Sequence, residues 1–140
     1  MGGRKTDLVI VRGNLNAQGY VNNILRPVAV PFLRQHVGML MHDNARPHVA
    51  AFTRAFLAQQ NVPVLPWPAC SPDMNPIEHI WDLLGKNVRK NHQLNTLQDL
   101  ENALQSEWNR IPYDVVRRYV RSMRSRMLTV IRRRGGHNRY

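Results

Sequence analysis

The chain has 140 residues and is 43% apolar, which is enough for one domain with a hydrophobic core and argues against disorder throughout. Its one cysteine, Cys70, excludes an internal disulfide framework, and no apolar run approaches the roughly 20 residues that span a bilayer. The formal net charge of +11 is unusually high and favours a polyanionic partner, usually nucleic acid. No membrane partner and no small-molecule substrate are expected.

The first part of the sequence predicts a strand followed by a helix. Leu8–Val11 is a run of apolar, mostly β-branched residues that ends near Gly13, and this pattern predicts a strand. Asn16 is a suitable N-cap for the helix that follows. Pro27 and Pro31 lie inside that helix, so we expect them to kink or split it.

The next segment predicts two further strands with a helix between them. Val37–Met41 is a buried-strand candidate that ends in His42-Asp43-Asn44, and Val62–Leu65 is a third short strand. Pro47 begins the intervening helix. That helix is predicted to place three apolar residues on one face, namely Val49, Phe52 and Phe56. The proline-rich segment from Pro66 to Pro76 predicts a loop.

Three amphipathic helices are predicted after this loop. The first begins at Pro76, with Asn75 as its N-cap. The second begins at Thr96, with Asp99 in the capping-box position, and the third follows Pro112. Strands that alternate with helices, followed by helices alone, indicate an α/β fold class with a helical C-terminal half.

No internal repeat or linker divides the sequence, so residues 1–140 are predicted to form a single domain. We expect an α/β part at residues 8–75 and a helical part at residues 76–134. Residues 135–140 are expected to form a mobile tail, because they are short, polar and terminal.

Positive charge is concentrated at the C-terminal end of the sequence. Residues 113–140 contain nine arginines against one acid, Asp114, which gives +8 of the total charge. The third helix carries a predicted apolar stripe, which consists of Val116, Val120, Met123, Met127 and Ile131. Its other faces hold Arg117, Arg118, Arg121, Arg124 and Arg126. We expect Arg117, Arg121 and Arg124 to bind DNA, and the alternative is a solvated face that serves solubility.

Two acidic residues are the candidates for catalysis and metal binding. Asp43 follows a predicted strand, and Glu78 lies in the first turn of a predicted helix, with 34 residues between them. Two carboxylates held near each other form part of a divalent-metal site. Each acid also has a structural explanation, because Asp43 can form a turn with Asn44 and Glu78 can stabilise a helix start.

Three histidines flank these acids, namely His42, His48 and His79. They are candidates to orient the carboxylates or to contact phosphate. Their spacing matches no familiar zinc-ligand pattern, which disfavours a zinc site. The sequence also has no Gly-rich phosphate loop and no serine or cysteine nucleophile with a recognisable partner motif.

Four segments resemble the Tc/mariner superfamily transposases of the branch with an Asp-Asp-Glu triad. The segments are HDNARPH, LPWPACSPDMNPIEHIWDLLG, EWNRIP and GGHNRY. The resemblance extends from about Leu8 to Tyr140. It implies a ribonuclease-H-like catalytic domain that cuts and rejoins DNA, using divalent ions, Mg²⁺ or Mn²⁺, held by three carboxylates.

Carried over residue by residue, the resemblance makes Asp43 the second acid of the triad and Glu78 the third, both catalytic and metal-binding. The first acid of the family lies in the first strand, which would precede this sequence. Asp7 does not match it, because Asp7 stands beside Leu8–Val11, the counterpart of the family's third strand. We therefore expect a truncated sheet without its first two strands. Leu8–Val11 would then pair with Val37–Met41, recruit another chain or stay loose.

The resulting hypothesis is the C-terminal part of a transposase catalytic domain, with metal-dependent DNA cleavage and transfer as its ancestral chemistry. Because the first acid is missing from these residues, we expect the isolated chain to be inactive. The alternatives are a catalytically inactive remnant that binds DNA or a transposase, and a decayed reading frame without function. The expected location is the nucleus, and the expected partners are DNA and either a second copy of the chain or a full-length transposase.

Overall fold

The computed structural model of the protein describes residues 5–68, 71 and 74–133. The chain divides into two compact units. The N-terminal unit is Thr6–Cys70, and the C-terminal unit is Met1–Lys5 together with Ser71–Tyr140. Cys70 and the predicted tail at residues 135–140 lie outside the described residues. None of the helices in the described part is long and apolar enough to cross a membrane.

Helices account for most of the described residues. The N-terminal unit contains α1 (Ala17–Gly19), a π-helix π1 (Tyr20–Ala29), α2 (Val30–Gln35), α3 (Arg46–Val49) and α4 (Ala51–Gln59). The C-terminal unit contains α5 (Pro76–Asn91), α6 (Leu97–Arg110) and α7 (Tyr113–Arg132).

The first helical segment keeps a helical backbone through both of its prolines. Asn16 caps α1 as predicted, with its Oδ1 accepting a hydrogen bond from the Gly19 N–H at 2.8 Å. Pro27 lies inside π1, whose end pairs the Val30 N–H with the Leu25 carbonyl five residues earlier. The helix is therefore not split at either proline, and the alternative outcome, a kink, stays a prediction. A wider π register re-pairs the carbonyls around a proline that has no N–H to donate.

The helix predicted at Pro47 is two helices instead of one. Pro47 lies in the first turn of α3, as predicted, but Ala50 is extended (φ −60°, ψ 147°) and separates α3 from α4. Because this break interrupts the helical period, Val49 and Phe52 are exposed, and of the three predicted residues Phe56 alone is buried. The buried residues of α4 are Thr53, Phe56 and Leu57.

The predicted strands are not formed as regular strands within the described ranges. They were placed at Leu8–Val11, Val37–Met41 and Val62–Leu65, and the described residues contain one isolated parallel bridge, between Leu40 and Val64. A strand requires a partner elsewhere in the chain, and a local apolar run does not supply one. In the described residues, one isolated bridge therefore stands where the α/β prediction expected a sheet.

That bridge fixes the chain just before Asp43. The Leu40 N–H donates to the Pro63 carbonyl at 2.8 Å, and the Leu65 N–H donates to the Leu40 carbonyl at 2.9 Å. Leu40 and Val64 pack against the buried core of the N-terminal unit. This core consists of Tyr20, Val21, Leu25, Val30, Phe56 and Leu57. The segment that leads to Asp43 is thus tied to the core by hydrogen bonds and by apolar contact.

The C-terminal unit begins its helices where the sequence predicts. Asn75 Oδ1 accepts a hydrogen bond from the Ile77 N–H at 3.2 Å at the start of α5. Thr96 and Asp99 form the predicted capping box at the start of α6. The core of this unit consists of Ile80, Leu84, Val88, Ala103, Trp108 and Ile111. These residues lie on α5, on α6 and at the C-cap of α6, and each of the two helices begins with a capping residue.

Helix α7 departs from its predicted pattern. Its predicted stripe is largely solvent-accessible, with Val120 37%, Met127 42% and Ile131 71% exposed. Arg126, predicted on a solvent face, is 6% exposed. Its Nη2 donates to the Tyr119 carbonyl at 3.0 Å. A long arginine stem can be buried when its guanidinium finds an acceptor, which an apolar-periodicity argument does not anticipate.

Candidate active site and DNA-binding surface

Asp43 lies in the short segment between the Leu40 bridge and α3. Its Oδ1 accepts a hydrogen bond from the Ala45 N–H at 3.0 Å, which is a local side-chain-to-backbone turn. The structural explanation offered for this residue is thus realised. It leaves the carboxylate accessible, because the Asp43 side chain is 60% exposed.

His48, in α3, holds the same oxygen of Asp43. Its Nδ1 lies 2.6 Å from Asp43 Oδ1, and the histidine donates, because an ionised carboxylate has no proton to give. The hydrogen bonds from the Ala45 backbone and from His48 hold the pKa of Asp43 below its ordinary value, against an opposing effect of burial. Oδ1 of Asp43 accepts both of these hydrogen bonds, and Oδ2 accepts neither of them.

Two aromatic rings, those of His42 and Tyr20, pack against the His48 ring. The His42 and His48 rings are stacked, with centroids 5.1 Å apart and planes 12° apart. The Tyr20 ring lies 4.3 Å from the His48 ring, and the Tyr20 hydroxyl is 3.1 Å from His42 Nδ1. Burial, together with the Asp43 charge, raises the pKa of Tyr20 to about 12. Burial and neighbouring His48 lower the pKa of His42.

A cleft of about 390 Å³ lies beside this cluster in the N-terminal unit. His42, Asn44 and His48 line one part of it, and Arg54 and Trp67 line others. The Asn44 Nδ2 donates to the Trp67 carbonyl at 3.0 Å, which ties the residue after Asp43 to the wall of the cleft. The cleft therefore has a few polar side chains in a lining that is otherwise largely apolar.

Glu78 lies in the first turn of α5, in the C-terminal unit, and its side chain is exposed. A carboxylate there is favoured by the helix dipole, which agrees with the structural explanation given above. The adjacent His79 ring stacks on Tyr119 of α7 at 5.2 Å, with planes 4° apart. Burial and neighbouring Arg126 lower the pKa of His79. The start of α5 therefore packs against α7 through this ring contact.

The two candidate acids lie in different units, and each is described within its own. Among the residues that the structure describes, no group of three or more His, Cys, Asp or Glu side chains is arranged to hold a metal ion. The donor chemistry does suit Mg²⁺ or Mn²⁺, because exposed carboxylates with waters are the ligands that these hard cations prefer.

The predicted DNA-binding arginines are all exposed on α7, at Arg117, Arg121 and Arg124. Arg117 and Arg121 line a shallow groove together with Arg118 and Asp114. Arg117 Nη1 lies 3.7 Å from Asp114 Oδ1, and such an exposed pair contributes little stability. Most of this positive charge therefore stays available to a polyanion.

Sequence reasoning did not identify Tyr20 as part of the cluster around Asp43. Tyr20 is 6% exposed and belongs to the buried core of the N-terminal unit. The sequence contains no signal that its hydroxyl would reach His42. That contact depends on how π1 packs beside the HDNARPH segment, which is a tertiary relationship.

Comparisons with known proteins agree with the motifs. Residues 2–101 match the family model described as DDE superfamily endonuclease. The Tc3 transposase of Caenorhabditis elegans is 31% identical across 98% of this chain and 43% of its own length. The Tc1 transposase of the same organism is 32% identical across 84% of this chain and 44% of its own length. The chain thus spans less than half the length of these relatives.

A solved structure also matches the fold. The Mos1 transposase catalytic domain, determined with raltegravir and Mg, superimposes with a TM-score of 0.75 at 24% sequence identity. The match covers 91% of this chain and 67% of that chain. The ribonuclease-H-like prediction is confirmed at this level of fold likeness, while the absence of the first two strands stays a prediction.

Proposed function

We propose that this chain, which belongs to the DDE superfamily endonucleases of the Tc/mariner transposases, carries part of a catalytic domain for metal-dependent DNA cleavage and strand transfer. The chain spans less than half of its curated relatives, so the activity is proposed for the protein to which this segment contributes. The similarity does not favour the alternative of an inactive DNA-binding or transposase-interacting remnant.

The observation that carries the proposal is the state of Asp43 within the HDNARPH segment. Its carboxylate is ionised, exposed and held at one oxygen by Ala45 and His48. A turn requires only the backbone donor, Ala45. It does not explain the second donor, the His48 side chain, which itself packs against aromatic rings. This arrangement suits a carboxylate that presents its other oxygen to a cation.

We assign the binding of Mg²⁺ or Mn²⁺ to Asp43 and Glu78, the second and third acids of the family's triad. Bound ions would activate a water or a 3′-hydroxyl and stabilise the leaving oxygen of a DNA phosphodiester. Asp43 contributes an oriented oxygen, and Glu78 contributes an exposed carboxylate on a capped and braced helix start. Each residue is thus described by local contacts within its own unit.

These 140 residues provide two of the three family acids. Asp7 is exposed, and it precedes the Leu8–Val11 segment, which forms no regular strand in the described part of the chain. We therefore propose that the first acid comes from a sheet strand outside these residues. A full-length transposase is the proposed partner that supplies this acid, and a second copy of the chain is a proposed partner that does not supply it.

DNA binding is assigned to the exposed arginines of α7, Arg117, Arg121 and Arg124. Guanidinium groups along one helix neutralise phosphates without reading base edges, so the contribution is affinity and not sequence choice. A DNA substrate also makes the nucleus the proposed location.

A chimera tests this function. This chain would replace the matching segment of the Tc3 transposase. The rest of that transposase would supply the remaining catalytic strands. With Mg²⁺ or Mn²⁺, we expect the chimera to nick DNA that carries the Tc3 transposon ends. The proposal would be contradicted by a chimera that binds those ends without cutting them, provided that circular dichroism shows it to be folded.

A further inference from the structure

We propose that His48 is a positioning residue that fixes the Asp43 carboxylate so that Oδ2 is presented to a divalent cation. The inference rests on the proposed function, in which Asp43 is a metal ligand. It goes beyond that function by assigning the orientation of this ligand to one side chain in the same unit.

The geometry at Oδ1 restricts the Asp43 carboxylate. His48 Nδ1 approaches at 2.6 Å and the Ala45 N–H at 3.0 Å, so two donors converge on one oxygen. An exposed aspartate otherwise rotates freely about its side-chain torsions. Two donors on one oxygen restrict that rotation, and a short hydrogen bond to a charged acceptor is among the stronger kinds.

His48 is itself held in place by aromatic rings. The Tyr20 ring lies 4.3 Å from the His48 ring, and the His42 ring stacks on it at 5.1 Å. The hydroxyl of Tyr20 is hydrogen-bonded to His42 at 3.1 Å, and Tyr20 is 6% exposed within the core of the N-terminal unit. A continuous set of contacts therefore runs from the core, through Tyr20 and His48, to Asp43.

Loss of this orientation should weaken metal binding at Asp43. Outer partners that orient a ligating group typically change metal affinity by about 10–100-fold when they are lost. His48→Phe keeps an aromatic ring beside Tyr20 and His42 but has no donor. His48→Asn keeps a donor that can reach Asp43 but loses the ring. If hydrogen bonding orients Asp43, then the asparagine variant should bind metal more tightly than the phenylalanine variant.

The test is a Mn²⁺ titration of the whole 140-residue chain at one neutral pH, followed by paramagnetic broadening of the Asn44 and Ala45 amide signals. We expect saturable broadening that Asp43→Asn abolishes. His48→Phe should weaken the apparent affinity at least tenfold, and His48→Asn should recover much of it. His36→Phe is the matched control, because His36 packs edge-on against Phe32 and should leave the affinity unchanged.

Two results separate the failure of this inference from the failure of the proposed function. Wild-type affinity in a folded His48→Phe variant would overturn the positioning role and leave the metal-binding role of Asp43 intact. No Asp43-dependent broadening in the wild-type chain would overturn both. Side-chain couplings of Asp43 in the metal-free wild-type chain give an independent check, because a single rotamer supports the inference and averaging among rotamers overturns it.

Discussion

The imidazole of His92 lies 3.0 Å from the carboxylate of Glu107, joining the end of α5 to the buried face of α6. Glu107 is 1% exposed, and its Oε1 also accepts hydrogen bonds from Arg110 at 2.7 Å and Asn91 at 3.3 Å. A buried carboxylate is tolerated when donors surround it in this way.

We predict an acid-dependent loss of stability from this network. The hydrogen bond from His92 is the largest cause that holds the pKa of Glu107 below its ordinary value of 4.5. A lowered pKa in the folded state gives stability that is complete above the unfolded pKa and is lost as the pH falls through the folded one. The Tm difference between wild type and Glu107→Gln should therefore shrink below about pH 4.5. A difference that stays constant from pH 6 to pH 3 would contradict this assignment.

The start of α6 gives a stability prediction. Thr96 Oγ1 accepts a hydrogen bond from the Asp99 N–H at 3.1 Å, and the Asp99 carboxylate accepts one from the Thr96 N–H at 2.9 Å. Thr96→Ala should cost about 1 kcal/mol of unfolding free energy in urea denaturation, because a helix donor loses its acceptor. Thr96→Ser keeps the hydroxyl and should cost little. Equal losses in the two variants would show that the cap does not supply this stability.

DNA binding by this chain should be non-specific and strongly salt-dependent. Replacing Arg117, Arg121 and Arg124 with alanine should weaken binding to all sequences alike and lower the salt slope by roughly 3, about one per lost phosphate contact. Fluorescence anisotropy over a range of salt concentrations measures both quantities.

The control for that experiment removes the same net charge elsewhere, in Arg26→Ala, Arg34→Ala and Arg89→Ala combined. We expect a smaller change in slope for this variant. A tenfold preference of the wild-type chain for one sequence, about 1.4 kcal/mol, would show that bases are read and would contradict the assignment.

Local signals predicted the helix starts correctly, because caps act over three or four residues. Asn75 and the Thr96–Asp99 pair are examples, and each makes the predicted contact. Leu8–Val11 was misassigned for the opposite reason. Its β-branched composition favours extended backbone, but a strand forms only with a partner that composition cannot identify.

The sequence predicted the two acids of the candidate site and one residue that holds Asp43, but not the packing around them. Asp43 and Glu78 were identified from motifs, and their roles stay predictions. His48 was a candidate to orient a carboxylate, and the structure places it on Asp43. The burial of Arg126 and the reach of the Tyr20 hydroxyl depend on packing between elements, which periodicity within one helix does not describe.

The isolated 140-residue chain should not cut DNA. Efficient two-metal catalysis needs both ions fixed by carboxylates, and Asp43 and Glu78 supply too few ligands for that arrangement. The measurement is a supercoiled-plasmid nicking assay with Mg²⁺ or Mn²⁺. Nicking by the chain that is lost in both Asp43→Ala and Glu78→Ala would show that the site works without a third acid.

The central claim is that Asp43 and Glu78 are the second and third acids of a DDE triad, and one measurement tests it most directly. It is the cleavage rate of transposon-end DNA by the Tc3 chimera carrying Asp43→Asn, Glu78→Gln or Asp7→Asn. The first two variants should lose about 100-fold or more in rate, because misplacing reacting groups costs that much. Asp7→Asn should cut like the parent. Full cleavage by the Asp43→Asn or the Glu78→Gln chimera would contradict the account.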